Sequence, residues 1–217
     1  MATSVYLEVG SKKVFACALD WPGWCRSGKT EEAALEALAA YAPRYAPVAK
    51  KAGLTFPKAA GEDFKVAERV KGGATTDFGA PEKSVGSDDK PITKAQAERL
   101  AALVEASWAI FDEVAAGAPA SLRKGPRGGG RDRDKMIDHV LDAEAAYTRK
   151  IGLRHKAPSR SDKKAIAATR KETLETLRAA RRALPEQDIK SWPYRYAARR
   201  IAWHVLDHAW EMEDRSE

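Results

Sequence analysis

Ile201-Ala202-Trp203-His204-Val205-Leu206-Asp207-His208-Ala209-Trp210-Glu211-Met212 is the stretch whose reading decides the fold. Ile201, Val205, Ala209 and Met212 recur at helical spacing and form one apolar stripe, so the segment reads as an amphipathic helix packed on a core. His204 and His208 are spaced i, i+4. That puts their imidazoles on one face, about 40° apart, at the border of the stripe and beside Ala197. Trp203 and Trp210 fall opposite the stripe, where large rings need a cover. The N-terminal part of the chain, or a second copy in a homodimer, would supply it.

Three more helical patterns precede this one. Thr93 with Gln96 three residues later has the form of a capping box, followed by Leu100, Leu103, Val104, Trp108 and Phe111. That helix is expected to end near Gly117 and Pro119. A second runs from about Asp132 to Ile151, closed by Gly152. Ser161-Asp162 opens a third, through Ile166, Leu174 and Leu177 to Leu184-Pro185. Ser191 opens the last, with Pro193 in its first turn, where a missing N–H does no harm. Four such helices joined by loops of about 7 to 15 residues predict an up-down four-helix bundle.

Residues 1–90 have a different grammar. Val5-Tyr6-Leu7-Glu8-Val9, the turn signal Gly10-Ser11, and Val14-Phe15-Ala16-Cys17-Ala18-Leu19 predict a β-hairpin. Thr30, Glu31 and Glu32 open a helix that is expected to reach Pro43 or slightly beyond. Phe64–Val70 alternates as a half-buried strand does. Lys71–Pro91 is rich in Gly, Ser, Asp and Pro and reads as linker. The expected class is α+β: a small β-hairpin and helix module over 1–90, then the bundle over 91–217.

The chain has 217 residues, 44% hydrophobic and 32% charged, which suits a packed core and excludes wholesale disorder. No stretch approaches the roughly 20 apolar residues of a membrane span. The start MATSVYLEVGSKK lacks the pattern of an export signal, so a cytoplasmic location is expected, with Cys17 and Cys25 as thiols. Of the net charge of +7, only +1 falls in residues 1–90, where 13 basic residues meet 12 acidic ones. The excess permits nucleic acid as a partner without arguing for it.

The chain has four histidines: His139, His155, His204 and His208. On a helical wheel His139 lies at the border of the second helix's apolar stripe, beside Ala143 and Ala146. It is the candidate third imidazole of a three-nitrogen metal site with an open position, and zinc or nickel is the expected ion. The alternative is that the pair on the last helix is only hydrogen-bonded core edge. Glu144 falls inside the apolar stripe and needs a partner when buried. It is either a group behind the metal ligands or half of a structural salt bridge, with Arg199 or Arg200 as candidate partner. Asp207 points away from the His pair and His155 sits in a basic loop; both are expected in solvent.

Ser121–Lys135 carries six basic and two acidic residues around a Gly-rich stretch. It is either a solvated connector or a clamp for an anionic substrate at the mouth of the His site. Arg127 and Arg131 are the best clamp candidates, because guanidinium forks grip carboxylate or phosphate at two points. The stretch has no aromatic residue on which bases would stack, so nucleic acid is not the expected partner.

Asp138-His139-Val140-Leu141-Asp142-Ala143-Glu144 and Trp203–Trp210 together make residues 93–214 resemble the DinB-like family of four-helix bundles. The resemblance implies a divalent metal held by His139, His204 and His208. It also implies an enzyme of thiol-dependent transferase or isomerase type, using a low-molecular-weight thiol such as mycothiol or bacillithiol. Many members have no assigned activity, which keeps a non-catalytic binding or regulatory role open. Trp21-Pro22-Gly23-Trp24-Cys25, then Gly28, Thr30, Glu31 and Glu32, resemble more loosely the HicB-like antitoxin fold, with Trp24 inserted in the turn. That likeness implies a fold and leaves an antitoxin-like, nucleic-acid-associated regulator as the second rival. Cys25 is then a structural or a reactive thiol.

Overall fold

The computed structural model describes residues 2–125, 129–179 and 191–216. The expected hairpin forms: β1 (Thr3–Val9) pairs antiparallel with β2 (Val14–Ala18), and β2 with a short third strand, β3 (Cys25–Gly28). α1 (Glu31–Ala40) starts on the Thr30 hydroxyl, which accepts from the Ala33 N–H at 3.2 Å. The helical path continues past Tyr41 as α2 (Ala42–Lys51). Pro43 does not end it, since in a first turn the absent N–H has no partner to lose. β4 (Phe64–Lys71) returns parallel to β1 and completes a mixed sheet of order β3-β2-β1-β4.

The stretch expected to be a linker is packed. α3 (Ala74–Phe78) and a 3-10 turn at Gly86–Asp89 lie in it. It surrounds the fully buried Glu8 carboxylate, which accepts from the Thr76 hydroxyl and from the Glu82 and Lys83 N–H groups. Asp88 is buried against Arg199, with both guanidinium nitrogens at 2.6 Å from its oxygens. A buried carboxylate requires such donors, and this need overrides the segment's polar composition.

Four long helices follow: α4 (Lys94–Gly117), α5 (Arg133–Thr148), α6 (Lys163–Ala179) and α7 (Tyr194–Ser216). The capping box of α4 is present, with the Gln96 N–H on Thr93 Oγ1 and the Thr93 N–H on Gln96 Oε1. The expected end of α6 at Leu184-Pro185 lies outside the described residues. Leu100, Val104 and Phe111 of α4, Met136 and Val140 of α5, Leu174 and Leu177 of α6, and Ile201 and Val205 of α7 share one apolar core. The class is therefore α+β, with a mixed four-stranded sheet and helices.

The helix directions correct the expected up-down alternation. Arg195 reaches the Pro91 carbonyl and Gln96, and the Arg123 N–H reaches the Arg215 carbonyl, so α4 and α7 run parallel. The Trp192 N–H on the Lys150 carbonyl sets the end of α5 beside the start of α7. Arg160 pairs with Asp134 and Asp138 at the start of α5, while Arg178 pairs with Glu98 and Glu105 of α4. α5 and α6 are thus parallel to each other and antiparallel to the other two. The connection over 149–162 can span about 45 Å extended, well beyond the roughly 24 Å length of α5 that it must retrace.

The sheet packs on α4 and α7. Leu103, Ala106, Leu206 and Trp210 belong to the same cluster as Val5, Leu7, Trp24 and Leu38. Trp203 meets Phe15 edge to face at 6.1 Å, and Trp210 meets Tyr41 at 5.1 Å, so the N-terminal module covers both rings. Cys17 and Cys25 are joined in a disulfide, which corrects the expectation of two thiols. They are register partners across β2 and β3, a pairing that their spacing in sequence does not disclose. Among the described residues, no helix is long and apolar enough to cross a membrane.

Candidate metal centre

His139 projects from α5, and His204 and His208 from successive turns of α7. One ring nitrogen from each lies within 4.8 Å of the other two. His139 Nε2 and His204 Nε2 are 3.2 Å apart. Ring centroids are separated by 4.6 to 5.0 Å. Nitrogens bound tetrahedrally at about 2.1 Å would stand about 3.4 Å apart, so small side-chain adjustments suffice for a shared ion. His204 and His208 are buried and His139 is half-buried.

Two of the rings, His139 and His204, are held neutral. Burial, followed by the charge of Arg131, pushes His139 down to about 4. Burial also holds His204 well below the ordinary imidazole value, aided by His208 and Arg200. A neutral imidazole keeps a lone pair for an ion, which protonation would remove. Two Nε2 lone pairs 3.2 Å apart repel unless one nitrogen carries a proton or a cation lies between them. His204 Nδ1 is buried without a partner among the described residues.

Glu211 completes the arrangement. Its Oε2 lies 3.0 Å from His208 Nδ1, and its Oε1 accepts from Arg215 at 2.7 Å. The His208 hydrogen bond, with Arg215 behind it, holds the Glu211 carboxyl below its ordinary range. An ionised carboxylate only accepts, so the His208 proton sits on Nδ1 and Nε2 is free to face the other rings. Glu211 escaped the sequence reading, although His208-x-x-Glu211-x-x-x-Arg215 has the spacing of one helix face. Tyr147, edge-on to His204 at 5.5 Å, is a second missed neighbour.

Glu144 is not behind the ligands. It is buried against Arg170 of α6, at 3.2 and 3.4 Å, rather than against Arg199 or Arg200. Its place inside the stripe of α5 turns it toward α4 and α6, away from α7. Burial raises its pKa against the pull of Arg170. Asp207 is not free in solvent but pairs with Arg26 of β3 at 2.8 Å. His155 is half-buried, 3.3 Å from Glu172. Of the two clamp candidates, Arg131 is exposed and near enough for its charge to act on His139, while Arg127 lies outside the described residues. Gly130 sits at φ +115° against the Arg215 guanidinium, where a Cβ would come within 2.7 Å. That contact brings the basic loop beside the Glu211–Arg215 pair.

A cleft of about 620 Å³ adjoins the centre, lined by Arg26, Tyr41, Lys124, Trp210, Glu211 and Arg215. Its size suits a small ligand, and Glu211 is a wall it shares with the His site. A larger groove of about 890 Å³ opens between α4, α5 and α6, over Trp108, Phe111 and Leu141. Neither space is lined by any of the three histidines, and Arg26, Lys124 and Arg215 in the smaller one are tied to carboxylates as Arg160, Arg170 and Arg178 are in the larger. Only the smaller cleft touches the His site, through Glu211. No family model, curated protein or solved structure matches this chain.

Proposed function

We propose that this chain is a divalent-metal-dependent enzyme in which His139, His204 and His208 hold one zinc or nickel ion. In this reading the four long helices are a DinB-like four-helix bundle, the N-terminal sheet is a HicB-like module, and the reaction is a thiol-dependent transfer or isomerisation. The observation that carries the proposal is the convergence of three imidazole nitrogens within 4.8 Å, on two helices that share a core. An ion held by three imidazoles would supply Lewis acidity, lowering the pKa of a water or thiol at its open position. The chain's own residues orient the site. Glu211 fixes the tautomer of His208, and Arg215 keeps Glu211 ionised. Tyr147 limits the motion of His204. The cleft beside Glu211, where Arg26, Lys124 and Arg215 alternate with Asp207 and Asp214 and Tyr41 and Trp210 give apolar surface, is where a small anionic molecule or thiol cosubstrate would sit.

Metal analysis tests the reading. Protein reconstituted with zinc or nickel should hold about one ion per chain, and His204→Ala should abolish uptake while the fold persists. Absence of metal after reconstitution would overturn the proposal. A non-catalytic binding protein would retain the ion yet leave a thiol cosubstrate unconsumed.

A further inference from the structure

We propose that the connection from α5 to α6, with the first turn of α6, binds the phosphate backbone of a nucleic-acid duplex. Residues 149–178 hold ten basic and three acidic side chains, a net of +7, which is the whole net charge of the chain. The three acids are engaged. Asp162 accepts from the Ala165 N–H at 2.9 Å, Glu172 lies 3.3 Å from His155, and Glu175 pairs with Lys171. Arg149, Arg154, Lys156, Lys163 and Lys164 are exposed, and none has a carboxylate partner among the described residues.

The connection is a strap pinned along the bundle. The Leu153 N–H on the Thr148 carbonyl, at 3.0 Å, turns it back at the end of α5. Arg149 donates to the His155 carbonyl at 3.4 Å, which sets its guanidinium beside Arg154 and Lys156. Arg160, on Asp134 and Asp138, holds the other end at the start of α5, next to Lys163 and Lys164. Between these ends Leu153, His155 and Pro158 are half-buried, while Arg154, Lys156 and Ser159 are exposed. His155 and Pro158 line an enclosed space with Ala145 of α5 and Thr173 of α6. The free cations are thus strung along a line about as long as α5, roughly 24 Å, on backbone that needs no ordering to bind.

One strand of a duplex carries a phosphate about every 3.4 Å of axis, so about 24 Å passes about seven, enough to engage five cations. Residues 149–178 contain no Phe, Tyr or Trp, so unpaired bases would find nothing to stack on, and a duplex is favoured over a single strand. Ile151, Leu153, Ile166 and Leu174 are buried or half-buried, which leaves no large apolar side chain to insert into a lipid surface. Contacts to phosphate alone position a protein without reading sequence, so binding should be indifferent to base sequence. The surface shares no residue with the proposed metal centre.

Fluorescence anisotropy of a labelled DNA duplex of about 20 bp, titrated with the full chain at about 50 to 200 mM salt, tests the proposal. Log K should fall linearly with log salt with a slope of about −4 to −5, from five phosphates at about 0.9 each. Arg154→Gln, Lys156→Gln, Lys163→Gln and Lys164→Gln combined in one chain should bring the slope to about −1 and weaken binding at about 50 mM salt by tenfold or more. Lys12→Gln, Lys58→Gln, Lys65→Gln and Lys90→Gln, at exposed positions in the N-terminal half, remove the same charge and should leave binding as in wild type. Equal weakening in the two variants would reduce the effect to net charge and overturn the proposal. So would failure of the wild-type chain to bind the duplex at about 50 mM salt, or binding only to vesicles that contain phosphatidylserine.

Discussion

Replacing Glu211 with Gln isolates the group behind the proposed metal ligands. The substitution keeps the size of the side chain and removes its charge, so the 3.0 Å contact with His208 Nδ1 loses its ionic character. It also leaves Arg215 without the carboxylate it meets at 2.7 Å. Carboxylates that hold a ligating imidazole are worth about 10- to 100-fold in metal affinity. Consider zinc at a hundred times the wild-type Kd, where binding stabilises the fold by about 2.7 kcal/mol. For a chain of this length each kcal/mol moves Tm by about 2–4 °C, so the wild-type shift should be about 5–11 °C. At the same zinc concentration the variant keeps only about 0.4–1.4 kcal/mol, a shift of about 1–6 °C. A chelator competition gives the affinity directly, and melting with and without zinc separates this loss from any change in the metal-free protein. If Glu211→Gln binds zinc within about twofold of wild type, with the same Tm increment, the carboxylate does not set the His208 tautomer and the account of the centre fails.

Asp88→Ala strands the buried Arg199 charge and should cost about 3–5 kcal/mol, read by chemical unfolding; a loss below about 1 kcal/mol would mean that Arg199 finds water. The metal-free protein should lose stability as the pH falls from about 7 toward 4, because the unfolded chain takes protons near 6.5 at two imidazoles whose folded pKa values are depressed, His139 to about 4. The slope should flatten in His204→Gln, and a level wild-type profile down to about pH 5.5 would contradict the neutral-ring argument. Arg131→Ala should raise the His139 pKa, followed by NMR titration of the ring, and weaken an anionic ligand by roughly tenfold, about 1.4 kcal/mol; an unmoved titration would place its charge too far away to matter.

What could be read from the sequence was local or periodic. The box between Thr93 and Gln96 involves neighbours three residues apart, and the His204–His208 spacing follows from helix pitch. What could not be read depends on partners distant in the chain. β3 is four residues, Cys25-Arg26-Ser27-Gly28, with no alternation to mark it, and it is a strand because β2 offers an edge. Without β3 the Cys17–Cys25 pairing is invisible. Pro43 looks like a stop signal, yet it sits in the first turn of α2, which continues through Pro47. A helical wheel shows that Glu144 faces inward but not which neighbour it meets, and the choice of α6 over α7 decides its role. Lys71–Pro91 looks like a linker by composition, because the carboxylate it must satisfy, Glu8, lies more than 60 residues away.

α7 is the element on which the two halves of the chain depend together, and its three faces explain why. Ile201, Val205 and Met212 point into the helical core, while Trp203, Asp207 and Trp210 meet the N-terminal module. His204, His208 and Glu211 make the third face, rotated about 100° from the tryptophan stripe. Rolling the helix by about 10° would carry an atom at its outer radius, about 5 Å from the axis, through about 0.9 Å. Metal–ligand distances tolerate only about 0.2 Å. The roll of α7 must therefore be fixed from outside the ligand set, by the close-packed core stripe and by polar contacts on the other side of the helix. Arg26 on Asp207 and Asp88 on Arg199 grip the helix two turns apart, and Phe15 and Tyr41 pack on the two tryptophans. The sheet module contributes no imidazole, yet its contacts hold His204 and His208 in register with His139.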